Sequence, residues 1–183
     1  MIIALSGYAK SGKDEVAKFI QDLNYTFEIR KFSAKVKQFA SLLTGVPEFM
    51  FEDQTFKNAS LGRQWWTINE DGVVPMTVRD MLQKLGTDAI RNGLHPDAWV
   101  NALMAEYRWQ NWVITDCRFP NEAQAVKANG GVVVRIERPG VGPVNKHPSE
   151  TALDDWDFDY KIMNGSDLVS LRQTTEVILN KIL

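Results

Sequence analysis

The feature that most constrains this chain stands near its start. Ile2 to Leu5 is an unbroken apolar run, the pattern of a strand buried on both faces. Gly7-Tyr8-Ala9-Lys10-Ser11-Gly12-Lys13-Asp14 follows at once, and then Val16, Ala17, Phe19 and Ile20 recur at helical spacing up to Leu23. A strand, a tight glycine-bearing loop and a helix leave few options. Glycines let backbone N–H groups turn inward, and the positive end of the helix dipole faces the same point. The predicted result is a cradle for phosphate.

Through the lysine the loop matches the Walker A pattern, which puts Lys13 within reach of β- and γ-phosphates. Gly7, Ala9, Lys10, Ser11, Gly12 and Lys13 are therefore candidate nucleotide-binding residues. Asp14 stands where Ser or Thr usually follows. A carboxylate there either holds Mg²⁺, directly or through water, or only favours the helix N-terminus.

The remaining pattern alternates strands and helices. Tyr25–Phe32, Trp112–Thr115, Gly131–Ile136 and Tyr160–Met163 read as strands. Helices are expected after Ser33 (inner face Val36, Phe39, Ala40 and Leu43), over Thr77–Asn92, from Asp97 to Trp109, over Asn121–Asn129 and over Asp167–Leu183. This argues an α/β fold with a parallel sheet flanked by helices. One domain is expected over residues 1–183, with a helical substrate-side region at 46–110. Within it 47–77 is aromatic and irregular, and the Pro- and Gly-rich stretch 138–155 reads as a lid-like loop.

Val113-Ile114-Thr115-Asp116 is an apolar strand ending in a carboxylate, on the sheet edge that carries the phosphate loop. Asp116 is a candidate to hold Mg²⁺ through water or to orient the attacking group. Arg118 lies two residues on. Phosphoryl transfer depends on placed cations, and Lys10, Arg63, Arg79, Arg91, Arg118 and Arg135 are the candidates.

Composition narrows the class. The 183 residues are 44% hydrophobic and 24% charged with a formal net charge of −2, which argues against a binder of nucleic-acid polymers or membranes. A single cysteine forms no internal disulfide, so a reducing, cytoplasmic setting is expected. The first apolar run is too short for a signal peptide or a membrane span.

Four ordered stretches resemble the bacteriophage-type deoxynucleoside monophosphate kinases: Leu5 to Asp14, including the Asp after the lysine; Arg79-Asp80-Met81-Leu82-Gln83-Lys84-Leu85-Gly86-Thr87-Asp88 with Trp99-Val100; Thr115-Asp116-Cys117-Arg118-Phe119-Pro120-Asn121-Glu122 with Arg138-Pro139-Gly140; and His147-Pro148-Ser149-Glu150 with Asn164-Gly165-Ser166. The resemblance spans most of the chain and is weakest over Pro47–Thr77. It implies a P-loop fold of the nucleoside monophosphate kinase type, ATP with Mg²⁺, a deoxynucleoside monophosphate acceptor, Asn164 near the adenine, a homodimer, and host cytoplasm if phage-encoded.

Residue chemistry gives these stretches roles. The Gln83 amide donates and accepts, which suits a base edge. Arg79, one turn away, suits a monophosphate. Asp88 and Arg91 either pair with each other or line the acceptor pocket. Trp66 or Trp99 stacks on a base or packs in the core. His147 and Glu150 contact substrate on lid closure or only stabilise the loop. Lys13, Arg118 and Asp116 carry the chemistry; Lys10, Trp66, Arg79, Gln83, Asp88, Arg91, Arg118 and Glu150 bind the acceptor. The nearest rivals are dephospho-coenzyme-A or phosphomevalonate kinases and a P-loop binding module without catalysis. A GTP switch is disfavoured, because Asn145-Lys146-His147-Pro148 has Pro where the guanine motif needs Asp.

Overall fold

The computed structural model describes residues 1–70, 72–144 and 147–183. Asn145 and Lys146 of the guanine-motif comparison lie outside them. In chain order the elements are β1 (Ile2–Ser6), α1 (Lys13–Leu23), β2 (Phe27–Arg30), α2 (Ser33–Thr44), α3 (Gln54–Asn58), β3 (Thr67–Asn69), β4 (Gly72–Val74), α4 (Val78–Gln83), α5 (Ala98–Met104), β5 (Asn111–Ile114), α6 (Pro120–Ala128), β6 (Val132–Glu137), α7 (Pro148–Thr151), β7 (Tyr160–Met163) and α8 (Leu168–Ile182). Short 3-10 turns occupy Glu48–Glu52 and Arg63–Trp65, and Lys84–Asn92 is π-helical. No described helix is long and apolar enough to cross a membrane. Two compact units result, one of residues 1–32 with 103–183 and one of 33–102.

The first unit holds a five-stranded sheet in the order β2-β5-β1-β6-β7, parallel at every pairing. All five residues of β1 are buried. Full burial of a branched aliphatic side chain is worth about 1.5–3 kcal/mol, so Ile2, Ile3 and Leu5 make this strand the centre. Val16, Ala17 and Ile20 of α1 and Leu171 and Leu179 of α8 pack with it. Because the strands run parallel, the segments after Ser6, Ile114, Glu137 and Met163 leave from one edge.

The second unit has its own core of Val36, Ala40, Phe51, Leu61, Val78, Met81, Leu85 and Trp99. α4 begins with a capping box: the Asp80 N–H donates to Thr77 Oγ1, and the Thr77 N–H donates to Asp80 Oδ2, both at 3.1 Å. The Trp99 indole donates to the Gly86 carbonyl at 2.7 Å inside the π-helical stretch.

Several expected boundaries are corrected. β2 is shorter than Tyr25–Phe32, and the helix after Asp97 stops at Met104 rather than Trp109, which has φ 69. On α2, Phe39 and Leu43 are exposed, whereas Lys37 is buried and paired with Glu52. The irregular 47–77 stretch contains an antiparallel hairpin, β3–β4, and the lid-like stretch contains α7.

Candidate active site

The phosphate loop follows from two glycines. Gly7 has φ 147, and a Cβ there would lie 2.4 Å from the Ile136 carbonyl oxygen. Gly12 has φ 106 and caps α1 without a side chain, leaving the first-turn N–H groups to an anion. A Cβ on Gly12 would meet Asn164 Nδ2 at 2.5 Å. That amide donates to the Ser11 carbonyl at 2.8 Å and is buried. Asn164, expected near adenine, thus ties the loop to the end of β7. Lys10 takes a left-handed conformation with φ 67 and is exposed, as is Asp14; Ala9 is half-buried. Ser11 Oγ is buried without a hydrogen-bond partner.

Lys13 folds back over the loop. Its Nζ donates to the carbonyls of Gly7 at 2.9 Å and Tyr8 at 2.7 Å. Burial, and then the positive charge of Arg118, lower its pKa to about 8, while Asp14, Glu150 and Asp116 act in the opposite sense. These five groups therefore share one electrostatic neighbourhood.

Asp116 and Arg118 are fixed by backbone contacts. Asp116 Oδ1 accepts from the Phe32 N–H at 2.8 Å. The buried Glu122 carboxylate accepts from the N–H of Arg118 at 2.7 Å and of Phe119 at 3.1 Å, which sets the turn into α6. Arg118 Nη1 donates to Glu150 Oε1 at 2.8 Å. His147 caps α7 by accepting from the Ser149 N–H at 3.2 Å. The lid-like stretch thereby presents Glu150 to Arg118.

A second contact beside the loop was not anticipated. Arg135, buried on β6, donates to Asp154 Oδ1 at 2.9 Å and to Ser6 Oγ at 3.3 Å. Its guanidinium lies 4.8 Å from the centre of the Tyr8 ring, and the Tyr8 hydroxyl donates to Asp154 Oδ2 at 2.8 Å. Asp154 stands in no motif and Tyr8 fills a variable position of the phosphate loop, whereas Arg135 interrupts the continuous apolar run 132–136, the one local sign that it is buried. Next to Gly12, a cleft of about 510 Å³ is lined by Arg138, Asn164, Ser166, Asp167, Leu168 and Val169, among others.

Of the expected acceptor residues, Trp66, Arg79, Gln83, Asp88 and Arg91 lie in the second unit, and Lys10, Arg118 and Glu150 in the first. Arg79 and Gln83 are one turn apart on α4, and the half-buried Gln83 amide makes no hydrogen bond among the described residues. Asp88 is exposed and forms no ion pair with Arg91, whose Nη1 donates to the Pro96 carbonyl at 3.1 Å. The Trp66 indole donates to Ser60 Oγ and the Leu61 carbonyl at 3.1 and 3.0 Å, with Arg63 5.9 Å from its ring centre. Trp99 is core.

Residues 48–175 match the model of a family described as deoxynucleotide monophosphate kinase. The chain belongs to the deoxynucleotide monophosphate kinase family. A protein of Acanthamoeba polyphaga mimivirus that carries the same kinase name is 30% identical over 167 residues, covering 84% of this chain and 82% of its own. The deoxynucleotide monophosphate kinase of Enterobacteria phage T4 is 31% identical over 101 residues, 52% of this chain; the match spans 42% of the phage enzyme. In fold, the Thermus thermophilus protein TT1252 superposes with a TM-score of 0.52 at 14% identity, over 100% of this chain and 98% of that one.

Proposed function

We propose that this kinase transfers the γ-phosphoryl group of ATP to the 5′-phosphate of a deoxynucleoside monophosphate. The observation that carries the reading is the grouping of Lys13, Arg118, Asp14, Asp116 and Glu150 around one phosphate loop, in a chain of the family described as deoxynucleotide monophosphate kinase. An acceptor phosphate oxygen attacks the γ-phosphorus, the bond to the β–γ bridging oxygen breaks, and ADP leaves. The acceptor is already anionic, so no strong base is required.

Lys13 exchanges the Gly7 and Tyr8 carbonyls for phosphate oxygens, and the loop N–H groups take the rest. Arg118 exchanges Glu150 for the developing charge. Arg79 receives the acceptor phosphate and Gln83 the edge of its base. The cleft beside Gly12 takes the donor's base. Residues 138–155 act as the lid, which excludes water from the transfer. Mg²⁺ binds through one or two carboxylates with water and phosphate oxygens. Asp14 and Asp116 suit that donor set, and there the ion would neutralise charge on the β- and γ-phosphates.

A coupled ADP-release assay over the four common deoxynucleoside 5′-monophosphates tests the proposal. Acceptor-dependent release is expected, and Lys13→Ala should lower it by at least about 100-fold, comparable to losing one strong electrostatic contact. Absence of acceptor-dependent release would sink the reading. Full activity in Lys13→Ala would remove the loop from the mechanism.

A further inference from the structure

Arg79 is held by oxygens that carry no charge. Its Nε and Nη2 both donate to Asn58 Oδ1 at 3.2 Å, and Nη2 also donates to Gln54 Oε1 at 3.3 Å. The local fold brings these groups together. Gln54 and Asn58 are four residues apart on α3 and so share a face. The Asp53 carboxylate caps that helix by accepting from the Phe56 N–H at 2.6 Å. The Val78 N–H donates to the Ala59 carbonyl at 3.0 Å and the Leu61 N–H to the Met76 carbonyl at 2.8 Å. The chain leaving α3 is thus laced to the chain entering α4.

Two consequences follow from the donors and acceptors. Three of the five guanidinium N–H groups are engaged, which fixes the plane of the fork, while the two on Nη1 have no partner among the described residues. The positive charge is also uncompensated. Arg118 and Arg135 each face a carboxylate, Glu150 and Asp154, but Arg79 meets two amides. A carboxylate in their place would orient the fork equally well and cancel much of its attraction for an anion.

We propose that Gln54 and Asn58 are positioning residues that aim Arg79 at the phosphate of the acceptor while leaving its charge intact. The inference rests on the reading of Arg79 as the group that receives that phosphate. It assigns the otherwise irregular stretch around α3 a task in acceptor affinity.

The test is steady-state kinetics and thermal melting of the full chain, using whichever of the four deoxynucleoside 5′-monophosphates the wild type phosphorylates fastest. Asn58→Asp should raise the KM for that acceptor roughly tenfold by pairing with the guanidinium, leave the KM for ATP within about twofold, and keep or raise the melting midpoint. Gln54→Glu should act in the same direction. A merely structural tether predicts the opposite kinetics, because the new ion pair strengthens it. The inference is overturned if both variants keep the wild-type acceptor KM while Arg79→Ala raises it, or if the KM for ATP rises equally. If Arg79→Ala leaves the acceptor KM unchanged, the underlying reading of Arg79 fails instead. Should Asn58→Asp fail to fold, Gln54→Glu decides alone.

Discussion

Lys13 is a cation kept where cations are costly. Burial and Arg118 lower its pKa to about 8 from the ordinary 10.5. In the unfolded chain the group binds its proton more tightly, so between about pH 8 and 10.5 unfolding takes up protons. Stability should therefore rise with pH across that window; below it both states are protonated and the contribution is lost. Denaturant midpoints of wild type and Lys13→Met over pH 7–10 check this: the variant should be the more stable at pH 7, and the gap should narrow as pH rises. Activity should run the other way. The free enzyme needs charged Lys13 to capture triphosphate, so kcat/KM for ATP should fall above about pH 8. Bound phosphate stabilises the ammonium, so kcat should hold to higher pH. A flat kcat/KM profile to pH 10 would contradict the assignment.

Elements explain how much of the site could be read in advance. β1, the loop and α1 were legible because a continuous apolar run, two constrained glycines and a 3.6-residue period are each local signals. The hairpin β3–β4 was not, because its strands have three residues each and Ile68, Val73 and Val74 are exposed, so no buried alternation marks them. The inner face of α2 was legible in half: Val36 and Ala40 are buried, but Lys37 reaches Glu52 while Phe39 and Leu43 stay outside. The hardest part is what long-range contacts decide: Glu150 meets Arg118 and Asp154 meets Tyr8 across stretches that share no period. The latter makes a prediction for β6 and the lid-like stretch. Asp154→Ala strips the buried Arg135 of its carboxylate and should destabilise the fold by about 2 kcal/mol, less than for a fully buried pair because Asp154 is partly exposed. Urea titration with an unchanged m-value would report it; a shift under about 0.5 kcal/mol would show the pair to be incidental.

At the scale of the whole molecule, the donor site should behave as a reservoir of stability. A ligand at 100 times its Kd adds about 2.7 kcal/mol to the folded state, which for a chain of this size is a rise of about 5–10 °C in Tm. Wild type with a non-hydrolysable ATP analogue should show that rise in differential scanning calorimetry, and Lys13→Ala should show little of it. An equal shift in both would mean that the nucleotide is held elsewhere.

The sheet order also bears on how the chain is made. Both neighbours of β1 are β5 and β6, and neither exists until Asn111 and the residues after it have been synthesised. At ribosomal rates that is a wait of roughly 5–20 s. During it β1, Ile2–Ser6, has no edge to join, while the residues of the second unit emerge in full. Nascent chains halted before Asn111 should therefore be the chaperone-dependent, aggregation-prone species, and those extended past β6 should not.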